Sequence, residues 1–243
     1  MSDALEAIPL TGLRAKIGQR MLYSVTHKPH VTLHAELDAT ALLDWQRRRA
    51  PQVLAETGHK LTLTALLVQL VGVALRRYPR INGRVENDRV QLHRMVNVGV
   101  AVALDEGLAV PVVRDAERKS LAEIAAELGL RVAEARAGKL KPRDVLDATF
   151  TVSNLGPYGV THFTPIVNPP EIAILGVGCV TPRPRRSGDR WIEVPMLNLD
   201  LSFDHAAIDG AQAARFLQVL SLLFRNPESA AGTAAENSEP PNE

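Results

Sequence analysis

Apolar and polar residues follow a period of two in some segments and a period near 3.6 in others. A period of two predicts a half-buried strand, as in HVTLHAEL at 30–37, and the longer period predicts an amphipathic helix. Together with runs rich in β-branched residues, these patterns predict strands at 30–37, 96–104, 148–156, 171–180 and 195–203. They predict helices at 11–25, 41–49, 61–75, 121–138 and 211–224.

The predicted strands and helices are mixed along the chain, without regular strand–helix–strand repetition. This order favours an α/β fold with one mixed sheet and helices packed mainly on one side. We therefore expect a single globular domain over residues 1–226. The segment 227–243 is small, polar and rich in proline, which predicts a disordered tail.

The composition argues against a nucleic-acid-binding protein, a membrane-spanning segment and an internal disulfide. The chain has 243 residues, of which 46% are hydrophobic and 23% charged, with a formal net charge of +1. Its basic residues form no concentrated block, so nucleic-acid binding is not expected. The most apolar stretch, Leu61–Leu75, is interrupted by polar residues and is too short for a comfortable membrane span. The single cysteine, Cys179, excludes an internal disulfide and favours a reducing, cytoplasmic compartment; its apolar neighbours predict an inert buried thiol.

The segment DLSFDHAAIDG places His205 between a predicted strand and a predicted helix, four residues before Asp209. Histidine is suited to proton transfer near neutral pH, and strand ends commonly hold catalytic side chains. An Asp-Gly pair at such a corner is equally typical of an ordinary polar turn with a helix cap. The residues alone leave both interpretations open, with the turn favoured.

Two further groups of residues have similar alternatives. Ser153 and Asn154 end a predicted strand, where a hydroxyl can donate to an oxyanion but turns also favour both residues. Arg14 and Arg20 share one helix, as a solvated face or as partners of a buried carboxylate. The remaining histidines have no spacing that favours a metal, and no Cys–His, nucleotide-binding or HExxH motif is present.

Taken together, six segments resemble one family in order and spacing. They are IPLTGLRAKIGQRM, PHVTLHAELDATALL, NVGVAVALDEGLAVPVVRDAERKSLAEIA, ARAGKLKPRDVLDATFTVSNLG, FTPIVNPPEIAILGVG and LSFDHAAIDGAQAARFL. The chain resembles the catalytic domain of the dihydrolipoamide acyltransferases of 2-oxoacid dehydrogenase complexes, over about residues 8 to 225. That family is related to chloramphenicol acetyltransferase, so the resemblance implies a CoA-dependent acyltransferase fold.

The resemblance also implies roles for individual residues. His205 would be the general base that deprotonates the thiol of CoA or dihydrolipoamide, and Ser153, in a T-x-S-N motif with Asn154, would stabilise the tetrahedral oxyanion. Asp209 would support the geometry of the site and pair with an N-terminal arginine, for which Arg14 is our choice. Coenzyme A would be a substrate, and no metal would be needed.

The family forms homotrimers in which the histidine of one subunit faces the serine of its neighbour. Only seven residues precede IPLTG, and no lysine has the Asp-Lys-Ala context of a lipoyl attachment site. We therefore expect no lipoyl or subunit-binding domain in this sequence. Either a lipoyl domain and dehydrogenase subunits are partners in trans, or the acceptor is a different molecule, or the sequence is truncated. The residues after Pro227 include no leucine, isoleucine, valine or aromatic residue, so we expect assembly to stop at the trimer.

Two other functions stay open. Residue 206 is alanine where the acyltransferases usually have arginine, which favours a stand-alone CoA-dependent acyltransferase acting on a small-molecule hydroxyl or amine. A non-catalytic assembly protein is the third alternative. His205, Asp209 and Ser153 are all present, which argues against it.

Overall fold

The computed structural model describes residues 5, 9–104 and 107–230. The helices are α1 (Gly12–His27), α2 (Thr40–Thr57), α3 (Leu63–Arg77), α4 (Leu121–Arg136) and α5 (Gly210–Arg225). The strands are β1 (His30–Asp38), β2 (Gly83–Glu86), β3 (Arg89–Leu92), β4 (Val98–Leu104), β5 (Gly107–Ala109), β6 (Val112–Val113), β7 (Phe150–Asn154), β8 (Ala173–Ser187) and β9 (Arg190–Asp204). The order of the long elements agrees with the hydrophobic pattern of the sequence.

One mixed sheet runs in the order β1-β9-β8-β7-β4-β5, with β6 also pairing with β4, and β2 and β3 form a separate hairpin. The neighbours β4–β7 and β7–β8 are parallel, whereas β8–β9 and β1–β9 are antiparallel. A two-residue turn at 188–189 joins β8 to β9 in a hairpin. The sheet therefore brings the ends of distant segments side by side.

The hydrophobic core lies between this sheet and helices α2 to α5. Alternate residues of β9, among them Leu199 and Leu201, are fully buried in the core together with Phe216 of α5. Every residue of α3 from Ala65 to Leu75 is buried, and this helix packs against α4 and α5. The intervening residues of β9, such as Asp200, point to the opposite face of the sheet, as the strand period requires.

The C-terminal end of the folded part differs from the predicted boundary at residue 226. The predicted disordered tail begins too early, because Pro227–Ala230 form a short 3-10 helix whose first and last residues are buried. Arg48 of α2 pairs with Glu228 and helps to hold this turn. Residues 231–243 lie outside the described residues. Within the described ranges, none of the helices combines the length and apolar character needed to cross a bilayer.

Candidate active site

Ser153 lies near the end of β7, at the centre of the mixed sheet. Its parallel neighbours are Ala101 of β4 and Gly176 of β8. The preceding residue, Val152, is fully buried in the core, and strand alternation turns Ser153 to the other face, where it is half-buried. A rigid strand inside the sheet thus holds this hydroxyl in place, as a preorganised hydrogen-bond donor requires.

A cavity of about 670 Å³ opens beside Ser153. Its walls come from α4, from the start of α3, from β4 and from the turn after β7, and its cationic lining residues include Lys60 and Arg136. Cys179 also lines it and is half-buried, so the expectation of a fully buried thiol was wrong. Leu108 of the short strand β5 and Gly156 in the turn after β7 also line it.

Asn154 has both side-chain polar groups engaged within the chain. Its Nδ2 donates to Thr64 Oγ1 at 3.0 Å, and its Oδ1 accepts from the backbone N–H of Gly156 at 2.9 Å. These bonds tie the end of β7 to the start of α3 and fix the turn that follows Ser153. The structure therefore gives Asn154 a positioning role in forming the cavity wall.

The turn beside Ser153 depends on close backbone contact at two glycines. A Cβ atom at Gly156 would lie 2.5 Å from the carbonyl oxygen of Gly178, and one at Gly178 would lie 1.9 Å from that of Thr161. Since no side chain fits at such distances, glycine lets the loop after β7 cross β8 directly beside Ser153.

His205 follows the last residue of β9 and is exposed. Its backbone N–H donates to the carbonyl of Pro29 at 2.8 Å, and its ring lies 5.8 Å, centroid to centroid, from that of Phe203. The next turn is fixed by Asp204, whose Oδ1 accepts from the backbone N–H of Ala206 at 3.0 Å. The imidazole thus projects from a well-anchored corner into open space.

The carboxylate that anchors this corner is part of a buried ion pair. Lys28 Nζ donates to Asp204 Oδ2 at 2.9 Å, and the two side chains are only 6% and 5% exposed. Sequence reasoning missed both residues. The Asp-His dipeptide at a strand end was the available signal for Asp204, but nothing local marks Lys28 as its partner.

We expect Lys28→Met to lower the free energy of unfolding by about 3–5 kcal/mol, because it leaves Asp204 buried without its counter-charge. Urea denaturation followed by circular dichroism would measure the loss. The control is Arg48→Met, which breaks the exposed pair with Glu228 and should cost less than about 1 kcal/mol. Equal losses in the two variants would contradict the structural role of the buried pair.

Asp209 is the residue before α5 and is exposed. Its backbone N–H donates to Gln212 Oε1 at 3.1 Å, as expected of a helix-capping corner. Arg14 is exposed near the start of α1, and among the described residues it forms no ion pair with Asp209. Within one chain, therefore, the arginine–aspartate pair implied by the resemblance is not formed by Arg14.

The arginine of α1 that lies near a buried carboxylate is Arg20. Its Nη2 donates to the carbonyl of Pro169, and its charge acts on Glu171, which is 1% exposed. Thr151 Oγ1 donates to Glu171 Oε2 at 2.6 Å, and Asn168 Nδ2 donates to Oε1 at 2.7 Å. Burial nevertheless outweighs these bonds and raises the pKa of Glu171 to about 7.

This raised pKa predicts a pH-dependent stability. Between about pH 4.5 and 7 the folded chain keeps a proton on Glu171 that the unfolded chain has released, so the free energy of unfolding falls as pH rises. The full loss from this group is roughly 3 kcal/mol. We expect Glu171→Gln to gain stability relative to wild type by up to that amount between pH 5 and 8. Urea denaturation across this range would measure it.

The matched control for that experiment is Glu56→Gln, which removes a carboxylate from the exposed face of α2. Its stability relative to wild type should change little with pH. If the free energy of unfolding of Glu171→Gln relative to wild type were also independent of pH, burial of Glu171 would not be the cause of the pH dependence.

Ser153 and His205 do not meet within one chain. Ser153 pairs with Gly176 of β8, and Gly176 pairs with Asp200 of β9. His205 is five residues beyond Asp200. Five residues along the strand direction and two strand spacings therefore separate Ser153 from His205. At about 3.3 Å per residue and about 4.8 Å per strand, they lie roughly 20 Å apart. A site that uses both side chains therefore requires a second subunit.

Comparison with solved structures first defines the class of fold. A chloramphenicol acetyltransferase matches with a TM-score of 0.52 at 13% identity, over 90% of this chain and 99% of that chain. Likeness at this identity concerns the fold alone. It confirms the predicted α/β architecture of the chloramphenicol acetyltransferase type, with a mixed sheet and a layer of helices.

The family follows from the sequence match. Residues 2–231 match the family described as the catalytic domain of 2-oxoacid dehydrogenase acyltransferases, and the chain belongs to that family. The acetyltransferase component of the acetoin cleaving system of Bacillus subtilis is 38% identical, over 91% of this chain and 56% of its own length. The chain thus spans about half the length of the curated relatives it matches.

Two solved structures are similar throughout. One is a dihydrolipoamide acetyltransferase of Azotobacter vinelandii, studied for the role of a serine, a histidine and an asparagine in its catalytic mechanism. It has a TM-score of 0.88 at 34% identity, over 93% of this chain and 94% of that chain. The other is the cubic core of a pyruvate dehydrogenase multienzyme complex, with a TM-score of 0.88, 35% identity and the same coverage.

Proposed function

We propose that this chain is an acyltransferase catalytic domain that moves a short acyl group between dihydrolipoamide and coenzyme A. One observation carries the assignment of residues. The serine and histidine studied in the Azotobacter enzyme are 52 positions apart and its asparagine follows the histidine by four. The same separations divide Ser153, His205 and Asp209. Asp209 gives this chain a carboxylate at the position where the Azotobacter enzyme has the amide of its asparagine.

His205 is the general base of the proposed reaction. A free thiol has a pKa of about 8.5, so only a minority is ionised at neutral pH and a positioned base raises the reactive fraction. His205 takes the proton from the attacking thiol, whose sulfur then adds to the thioester carbonyl carbon. The tetrahedral intermediate collapses by breaking the original C–S bond, and the proton returns from His205 to the departing sulfur.

Ser153 stabilises the negative oxygen that forms when the thiol adds. Its hydroxyl donates a hydrogen bond to that oxygen, and its place on an interior strand means that little reorganisation accompanies the reaction. Asn154 supports it by fixing the turn that follows. Asp209 and the buried pair of Lys28 and Asp204 hold the corner that carries His205.

The cavity beside Ser153 is the proposed path for coenzyme A. Its volume suits a narrow flexible chain, and Lys60 and Arg136 in its lining can meet the anionic phosphates of that substrate. The dihydrolipoyl group reaches the site from a lipoyl domain on another chain, so lipoyl-domain and dehydrogenase subunits are the proposed partners. Relatives that are components of bacterial pyruvate dehydrogenase complexes also favour a cytoplasmic location.

The assay for this function combines acetyl-CoA with free dihydrolipoamide and measures the acetylated dihydrolipoamide by liquid chromatography. We expect turnover that requires both substrates. Activity with a panel of hydroxyl and amine acceptors, and none with dihydrolipoamide, would instead support a stand-alone small-molecule acyltransferase. Ala206, exposed beside His205, is the observation that favours that alternative.

We further propose a homotrimer with each site built from two subunits, because Ser153 and His205 are too far apart in one chain. Coexpression of His205→Ala and Ser153→Ala chains with different tags tests this. Random mixed trimers would regain about a quarter of the wild-type rate, since that fraction of interfaces has both intact residues. A site within one chain would regain none. The mass of the wild-type protein, measured by light scattering, would distinguish a trimer from a larger assembly of trimers.

A further inference from the structure

Three side chains from distant parts of the chain meet on the face of the sheet opposite the helices. They are His34 of β1, Asp200 of β9 and His162 of the loop after β7. His34 Nδ1 lies 2.6 Å and His162 Nδ1 lies 2.7 Å from the same atom, Asp200 Oδ1. The proposed acyl transfer uses none of the three, and their positions in the sequence give no hint that they meet.

The charge of Asp200 is the first argument that this cluster binds a ligand. The side chain is fully buried, and within the described parts of the chain its ion-pair partners are the two histidines alone. Its other oxygen, Oδ2, accepts from the backbone N–H of Phe163 at 3.0 Å. A buried carboxylate is costly without a counter-charge, and a cation bound between the carboxylate and the two imidazoles supplies one.

The geometry is the second argument. The three candidate ligand atoms lie within 4.8 Å of one another, and the two rings are nearly perpendicular, at 87°. Zinc–nitrogen and zinc–oxygen bonds of about 2.0–2.1 Å in a tetrahedral shell place ligand atoms roughly 3.3–3.4 Å apart. The present contacts of 2.6 and 2.7 Å therefore need to open by roughly 0.6–0.8 Å. The His34 and His162 side chains are 52% and 36% exposed, so they have room to shift and an ion can reach them.

We propose that His34, His162 and Asp200 form a binding site for a divalent transition-metal ion of the zinc type. Both imidazoles bind through Nδ1, with the ring proton moved to Nε2, and Asp200 binds through Oδ1. The backbone of Phe163 fixes the second carboxylate oxygen, as outer groups commonly do around metal ligands. Water completes the tetrahedral shell on the exposed side.

The ion has a structural role, in tying the loop to the sheet next to the candidate active site. His162 directly follows Thr161, whose backbone packs on Gly178 in the cavity wall. Phe163 covers Gly176, the strand neighbour of Ser153. The site is two strands, or about 10 Å, from Ser153 and takes no part in acyl transfer.

The test is a titration of chelator-treated protein with Co²⁺, followed by visible absorption, and with Zn²⁺ by calorimetry. We expect wild type to bind one ion per chain with a tetrahedral cobalt spectrum. His34→Gln and His162→Gln should each weaken binding more than about 100-fold. The control His27→Gln removes an exposed imidazole at the end of α1 and should bind as wild type does.

Folding is checked in parallel, and the test does not depend on transferase activity. Zinc should raise the melting temperature of wild type and His27→Gln by several degrees and leave that of the other two variants unchanged. Absence of binding to wild type at millimolar cobalt would overturn the proposal. So would equal binding by all four proteins, because the ion would then lie elsewhere. Asp200→Asn is a weaker test, since its buried position makes misfolding a competing cause.

Discussion

Replacing His205 by alanine is expected to lower kcat for transfer from acetyl-CoA to dihydrolipoamide about 1,000-fold, with little change in the KM of either substrate. General bases typically contribute a factor of about 100 to 10,000. His205 is exposed at an anchored corner, so its loss removes a proton acceptor without opening a gap in the core. Steady-state kinetics on purified protein would measure the change.

The pH dependence distinguishes a lost base from a damaged fold. The rate of His205→Ala should rise with pH up to about 8.5, because the thiol then ionises without help. The rate of the wild-type enzyme should rise less steeply with pH over the same range. His27→Gln is the control for loss of an imidazole and should keep the wild-type kcat. If His205→Ala turned over like wild type, His205 would not be the base.

Replacing Ser153 by alanine is expected to lower kcat about 100- to 1,000-fold, the usual effect of removing one oxyanion donor. The substitution deletes a single half-buried oxygen and keeps the Cβ atom, so β7 and its hydrogen bonds to β4 and β8 stay intact. Because the hydroxyl acts on the intermediate, KM should change little. The same two-substrate assay measures both constants.

The control for this variant is Cys179→Ala, which removes a polar atom from the same cavity. It should retain activity within a few-fold of wild type, since no role in the transfer is proposed for this thiol. If Cys179→Ala lost as much activity as Ser153→Ala, disturbance of the cavity wall would explain both losses, and loss of the hydrogen bond to the oxyanion would not. Retained activity in Ser153→Ala would exclude the oxyanion role.

The sequence predicted the long elements well because their signals are local. The capping box at the start of α4, for example, depends on two residues three positions apart, Ser120 and Glu123. The short strands β2, β3, β5 and β6 were not predicted, since a few residues are too short to show a period. The β8–β9 hairpin extends beyond its predicted apolar parts, through exposed residues at 182–193 that backbone pairing holds together.

The candidate site was only partly predictable from the sequence, because some of its contacts join distant residues. A motif and a family resemblance mark Ser153 and His205 as candidates. The ion pair of Lys28 with Asp204, and the contact of Arg20 with the surroundings of Glu171, join residues more than 100 positions apart. The helical period places Arg14 and Arg20 on one helix without saying what faces each of them, so the choice of Arg14 as the partner of Asp209 stays a prediction.

By itself, the sequence determined the secondary-structure order, the α/β class and, through resemblance, the candidate chemistry at His205 and Ser153. Only the tertiary structure decided that these two residues lie two strand spacings apart, and that His34 and His162 both contact one oxygen atom of Asp200. The physical reason is that local patterns depend on backbone geometry and burial period. Contacts across a sheet depend instead on strand order and register, which packing of the whole chain sets.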